Sequence, residues 1–336
     1  MGRLQQIRYF FEHRAIVLMY HRIADVGIDP WQLAVTPQNF EQQLQVLRKT
    51  NLVIPVTELA DRLTARSFPH NSVSITFDDG YIDNLQFAKP LLEKYECPAT
   101  FFIATGYVGA RHEFWWDELE RIILKAPLLP GNFSMYINDE LYTYDLGADQ
   151  ELTAEQTNKH RSWVWPQSPP TRRCEMYLTL WERLKPLNSE KLLSYLHIIR
   201  QWAGQNNIEQ RDQWPVDQPQ LRELAAGPLF EIGIHTVTHP ALGCHSYEVQ
   251  QQEIANSREF LERTIGGNIN TIAFPYGSYN EATLNIVREM KLKAAFTTQD
   301  RLVIKTTDPV QLGRFQVKNW DGAQFEHELY KWMKKF

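Results

Sequence analysis

Short apolar runs alternate with amphipathic stretches over the first hundred residues and again over the last hundred. The run AIVLMY (15–20) is apolar and β-branched, as a buried strand requires. In TPQNFEQQLQVLRKT, Thr36 stands as an N-cap with Pro37 at the first helical position, and Phe40, Leu44 and Leu47 keep helical spacing. SVSITF (72–77) reads as a second strand, NLQFAKPLLEKYE (84–96) as a helix kinked at Pro90, and ATFFIA (99–104) as a third strand. The pattern resumes with strands at FEIGIH (230–235), TIAFPYG (271–277), AAFTT (294–298) and QLGRFQV (311–317). A helix from about 246 to 265 separates the first two, and GAQFEHELYKWMKKF closes the chain as an amphipathic helix. Alternating strands and helices predict a parallel α/β architecture, with chemistry at the carboxyl ends of the strands.

The middle of the chain breaks this rhythm. Residues 107–222 are rich in Trp, Gln and Pro, with helices at FWWDELERIIL, LTLWERL and EKLLSYLHIIRQW and a hairpin turning at Asn138-Asp139. Three parts follow: residues 1–106 as the first part of a barrel, 107–222 as a mostly helical insertion, and 223–336 as the rest of the barrel with the closing helix.

Composition narrows the class. The chain has 336 residues, 43% hydrophobic and 22% charged, with a net charge of −5, which argues against nucleic-acid binding. Cys97, Cys174 and Cys244 are an odd number at unrelated spacings, so they are expected as reduced thiols. Glu12, His13 and Arg14 interrupt the apolar runs near the start, and neither a signal peptide nor a membrane span fits; a cytoplasmic protein is expected.

Two polar clusters carry candidate chemistry. Asp78 and Asp79 end the SVSITF strand, and His235 and His239 follow FEIGI at a spacing of four. Alone, Asp-Asp-Gly is a common turn, and a His pair at this spacing is weak. Together at strand ends of one parallel pattern, two imidazoles and a carboxylate make a three-ligand set for a catalytic divalent metal, with a position left for water. One aspartate then holds the cation while its neighbour takes a proton from water activated there, a site that hydrolyses acyl bonds.

These residues resemble the polysaccharide deacetylases of carbohydrate esterase family 4, the NodB homology domain. TFDDG (76–80) is similar to the first motif, HTVTH (235–239) to the second, and AFPYG (273–277) stands at the third. The resemblance covers roughly 15–105 and 228–320. It implies a distorted (β/α)7 barrel and metal-dependent removal of acetyl groups from sugars. Asp78 would be the base and Asp79, His235 and His239 the metal ligands, with Zn2+ the expected ion and Co2+ or Ni2+ as substitutes. The backbone N–H of Tyr276 would donate to the oxyanion.

The chain departs from the family pattern in three places. Ala273 fills the arginine slot of the third motif, and no stretch matches the fourth motif, Asp-x-x-Asp-Trp. The fifth, Leu-x-His, is also missing, and His327 in the last helix reads as a surface residue. LMYHRI places His21 just after the first strand, which resembles the poly-N-acetylglucosamine deacetylase branch, where an N-terminal Tyr-His supplies the general acid. Arg314 either orients Asp78 in place of the missing arginine or forms a salt bridge at the core edge.

Tyr81, Trp116, Pro275 and Arg314 are the candidate substrate-contacting residues; Tyr81 either lines the cleft or packs beside it, and Trp116 either stacks on a sugar or joins the core. His13, His70, His112, His160, His197 and His245 have no supporting pattern and are read as surface or locally bonded. The expected substrate is a carbohydrate bearing N-acetyl groups, as a polysaccharide, an oligosaccharide or a lipid-linked precursor, with peripheral contact to a lipid-linked glycan. The alternatives are a deformylase or amidohydrolase on a lipid-linked sugar or small cyclic amide, and a catalytically degenerate glycan-binding barrel.

Overall fold

A computed structural model describes residues 14–50, 52–65, 71–205 and 214–334. The chain divides into two compact units. One comprises Met1–Asp25, Leu33–Ala110 and Pro215–Phe336; the other comprises Val26–Gln32 with Arg111–Trp214.

The first unit is a distorted (β/α) barrel. Its strands are β1 (Arg14–Tyr20), β2 (Ser72–Phe77), β3 (Ala99–Ile103), β4 (Phe230–Ile234), β5 (Thr271–Ala273), β6 (Ala294–Phe296), β7 (Val303–Ile304) and β8 (Phe315–Gln316). They form one sheet in the order β6-β5-β4-β3-β2-β1-β7, with β8 also on β1. All pairings are parallel except β1 with β7, where Arg14 and Ala15 face Ile304 and Val303. Val73, Ile75 and Phe77 of β2 pack in the larger core under the helices, while Thr76 and Asp78 lie on the opposite face. Strand β1 divides the same way: Ile16, Leu18 and Tyr20 join the larger core, and the smaller Ala15 and Val17 join a second cluster with Phe102, Ala273, Ala294, Phe296 and Leu312.

Two expectations need correction. QLGRFQV is not one strand. Leu312 pairs with Phe296 and exchanges backbone bonds with Ala295 and Thr297, whereas Phe315 and Gln316 pair with Leu18 and Met19. The segment changes partner midway, so its first half extends the β6 side and its second half the β1 side, and Arg314 stands at the crossover. The stretch 84–96 begins as a π-helical turn, Asn84–Ala88, and continues as an α-helix over Lys89–Lys94. The break falls just before Pro90, whose missing N–H and ring disfavour the regular ladder.

The second unit holds a hairpin, Asn132–Ile137 with Glu140–Asp145, turning at Asn138 and Asp139, both at positive φ (46° and 67°) as a type I′ turn requires. Helices Arg172–Leu184 and Ser189–Trp202 begin at Thr171 and Asn188, whose side chains accept from backbone N–H groups at the third helical position. No helix among the described residues is long and apolar enough to cross a membrane.

Candidate active site

Strand ends of the barrel bring the two polar clusters together. Asp78 and Asp79 follow β2, and His235 and His239 follow β4. Nε2 of His235 and Nε2 of His239 each lie 3.3 Å from Oδ1 of Asp79, and 3.1 Å from each other. Three donor atoms at the corners of so small a triangle share one point of convergence. Ligands ~2.0–2.2 Å from a tetrahedral ion stand about 3.3 Å apart, so the residues present fit a divalent cation. All three side chains are buried, and Asp79 Oδ1 accepts no hydrogen bond from the described residues. A buried carboxylate oxygen left without a donor is costly unless a cation meets it.

The backbone is bent to make this convergence. Asp79, Thr236, His239 and Tyr276 all have positive φ (74°, 66°, 58° and 56°), a conformation unfavourable for side chains with a Cβ. Gly80, at φ 90°, carries the turn onward beside Ile103, where an added Cβ would stand 3.0 Å from Ile103 Cδ1. Two supports hold the His235–His239 turn. Thr105 and Gly106 donate backbone N–H groups to Thr236 O (3.0 Å) and Val237 O (2.8 Å), an approach too close for a Cβ at Gly106. From the helix Tyr247–Ile265, one Glu253 oxygen accepts from the N–H groups of Val237 and Thr238, both at 2.8 Å, and the other accepts from the Thr238 hydroxyl at 2.7 Å. His235 Nδ1–H donates to Ala273 O at 2.8 Å, which leaves Nε2 to face Asp79.

Electrostatics separate the two aspartates. Burial alone would raise Asp79, but the close imidazoles of His235 and His239, with His21 beyond them, outweigh it and hold the carboxyl far below its usual range. Burial likewise opposes ionisation of Asp78, and there Arg314 with His235 prevails, lowering its pKa. Burial pushes His239 down, whereas at His235 the charges of Asp78 and Asp79 outweigh burial and push it up. His21 Nε2 lies 3.9 Å from Asp78 Oδ2, with the ring mostly covered. Its Nδ1 is buried and without a hydrogen-bond partner among the described residues.

The four candidate substrate contacts are all enclosed. Arg314 has no exposed surface. It binds both Asp78 oxygens, and its Nε donates to Thr297 O at 3.0 Å, so it cannot reach a substrate. Tyr81 is 1% exposed, with the Arg22 guanidinium 4.6 Å over its ring. Pro275 is buried within the turn that ends β5, shaping the backbone around Tyr276. Trp116 belongs to the second unit, where it is buried and stacked on Phe114 at 4.7 Å. The Tyr276 ring is part-exposed and meets His239 edge-on at 4.5 Å.

Glu253 and the Ala273 carbonyl escape sequence reasoning: a glutamate in the polar run QQQE carries no local signal, and a carbonyl carries none at all. Of the remaining histidines, His112, His197 and His327 are exposed, His245 is half-buried, His160 is buried, and His13 and His70 lie outside the described residues.

A family model described as polysaccharide deacetylase matches residues 65–128 and 179–295, more than half of the chain. The chain belongs to the polysaccharide deacetylase family. That membership places it among hydrolases of non-peptide C–N bonds. It is similar to the poly-β-1,6-N-acetyl-D-glucosamine N-deacetylase of Staphylococcus aureus, at 20% identity over 335 residues, which spans 96% of this chain and 83% of that protein. Two solved structures share the fold. IcaB from Ammonifex degensii is 18% identical with a TM-score of 0.60, covering 97% of this chain and 99% of that one. The Streptococcus pyogenes deacetylase PplD in complex with acetate is 20% identical with a TM-score of 0.54, covering 96% and 99%.

Proposed function

We propose that this polysaccharide deacetylase hydrolyses the N-acetyl groups of amino sugars in a glycan, releasing acetate and leaving free amines. The observation that carries the reading is the convergence of Asp79, His235 and His239 on one point, with an ionised Asp78 and His21 beside it. Asp79, His235 and His239 hold a divalent cation, with zinc the best match to a set of two imidazoles and one carboxylate. A cation bound there supplies Lewis acidity, polarising the amide carbonyl and drawing the pKa of water from ~16 toward ~7.

The residues then divide the proton chemistry. Asp78, kept ionised and oriented by Arg314, takes a proton from the attacking water. The backbone N–H of Tyr276, at the left-handed turn after Pro275, donates to the oxyanion as the carbonyl becomes tetrahedral. His21 gives its proton to the amine nitrogen as the C–N bond breaks. The likeness to the Staphylococcus aureus enzyme supports a β-linked N-acetylglucosamine polymer as the glycan. A degenerate binding barrel is disfavoured by Arg314, because a module without turnover gains nothing from a buried arginine fixing a base.

The test is product analysis on N-acetylglucosamine oligomers. Acetate release that stops on chelation and returns with zinc is expected. Release of formate from N-formyl sugars in preference to acetate would redirect the reading to a deformylase, and release unaffected by chelation would contradict it.

A further inference from the structure

The family's usual fourth and fifth motifs are missing from this chain, which leaves open what holds the proton donor. His21 gains little from its own ring: Nδ1 is buried without a partner among the described residues, and Nε2 is 3.9 Å from Asp78. Its backbone is held instead by the turn that also carries the aspartate pair. Asn84 Nδ2–H donates to His21 O at 2.8 Å and to Asp83 Oδ1 at 3.0 Å. Asp83 Oδ1 also accepts from the backbone N–H of Ile23 at 3.0 Å, and its Oδ2 accepts from Arg22 Nε at 2.9 Å. On the near side, Asp78 N–H donates to Tyr20 O at 3.0 Å. Asp83, Asn84 and Arg22 are all buried, at 2%, 0% and 6% exposure, so these bonds form where water does not compete.

We propose that Asp83 and Asn84 are positioning residues for proton donation: with Arg22, they clamp the segment 20–23 and fix His21 at its distance from Asp78. One turn of chain thus carries the base at 78, the ligand at 79 and the clamp at 83–84, which holds the general acid in register with both. This rests on the donor role proposed for His21. In that step the His21 N–H bond breaks, its proton goes to the amine nitrogen, and the C–N electron pair leaves with that nitrogen. A ring displaced by a fraction of an ångström still binds substrate but delivers the proton late.

The test compares two substrates and a double variant. Asn84→Ser removes the bond to His21 O, and Asp83→Asn, which keeps the side chain's size, serves as the second variant should the first unfold. N-acetylglucosamine oligomers need a protonated leaving amine, whereas 4-nitrophenyl acetate leaves as a phenolate and does not. The expected result is a kcat for the oligomers at least ~10-fold lower with KM little changed, ester hydrolysis within about twofold of the parent, and a full equivalent of bound metal. In a His21→Ala background the same substitution adds nothing, because the residue it positions is already gone. Equal losses on ester and amide, or a further loss in the His21→Ala background, would overturn the clamp. His21→Ala turning over the oligomers at the parent's rate would overturn the donor role beneath it, and the clamp with it.

Discussion

Arg314 and Asp78 meet through two parallel hydrogen bonds, Nη1 to Oδ1 at 2.7 Å and Nη2 to Oδ2 at 2.6 Å, with both side chains buried. The pair joins strand ends 236 residues apart in the chain. Ala273 leaves the third motif without its arginine, and Arg314 reaches Asp78 from another segment, the one that crosses from β6 to β1 at that residue. The fork fixes both carboxylate oxygens, which a point charge cannot do.

Arg314→Ala therefore leaves a buried, unpaired carboxylate. Breaking such a pair costs about 3–5 kcal/mol, and denaturant unfolding measures it. Arg314→Lys restores charge without the fork, so it should fold better than Arg314→Ala yet show a kcat for acetate release at least ~10-fold below the parent. Parent-level kcat in Arg314→Lys would show that orienting Asp78 is not its role.

Glu253→Gln tests the brace on the ligand turn. A Gln offers one carbonyl where the carboxylate serves two N–H groups and a hydroxyl, so the His235–His239 turn loosens. Zinc affinity, followed by competition with a chromophoric chelator, should fall ~10–100-fold with the fold intact. Unchanged affinity would assign Glu253 to helix packing alone.

The aspartate pair and the histidine pair were legible because each ends an apolar strand run, and the parallel pattern sends strand ends to one place. The alternation Ser74, Thr76, Asp78 against Val73, Ile75, Phe77 even states which aspartate continues the strand's inner face. Arg314 was legible as a candidate but not as a partner, since nothing in QLGRFQV signals that the segment changes strands midway. Of the two options open for each aromatic candidate, the structure shows the packed one. Tyr81 directly follows the first motif, but a large ring there packs beneath the turn as readily as it lines a cleft, and burial chose the first; Trp116 is buried within the second unit against Phe114. The span Val26–Gln32, which belongs to the second unit, has no compositional mark.

His160 makes the second unit sensitive to acid. Its Nδ1–H donates to Leu124 O at 3.0 Å, and its Nε2 accepts from the Thr171 hydroxyl at 2.9 Å. The same Thr171 oxygen accepts from the Cys174 N–H to cap a helix. Burial pushes the imidazole down, and the Leu124 carbonyl only partly opposes it. The unfolded chain, with an ordinary histidine near 6.5, thus takes up a proton before the folded chain does. Stability is full above pH ~6.5 and declines as pH falls below it, by at most about 1.4 kcal/mol per pH unit from this group. Thermal melts between pH 7 and 5 should show a shallower decline for His160→Gln than for the parent; identical slopes would show that His160 does not contribute to the decline.

In the proposed reaction the adjacent aspartates do separate work, one holding a cation and one moving a proton. Purified Asp78→Asn, assayed together for bound zinc and for acetate release from N-acetylglucosamine oligomers, tests it most directly. The variant should bind one equivalent of zinc, as the parent does, with acetate release reduced by at least about 10²-fold. Parent-level acetate release, or loss of the zinc along with the activity, would contradict it.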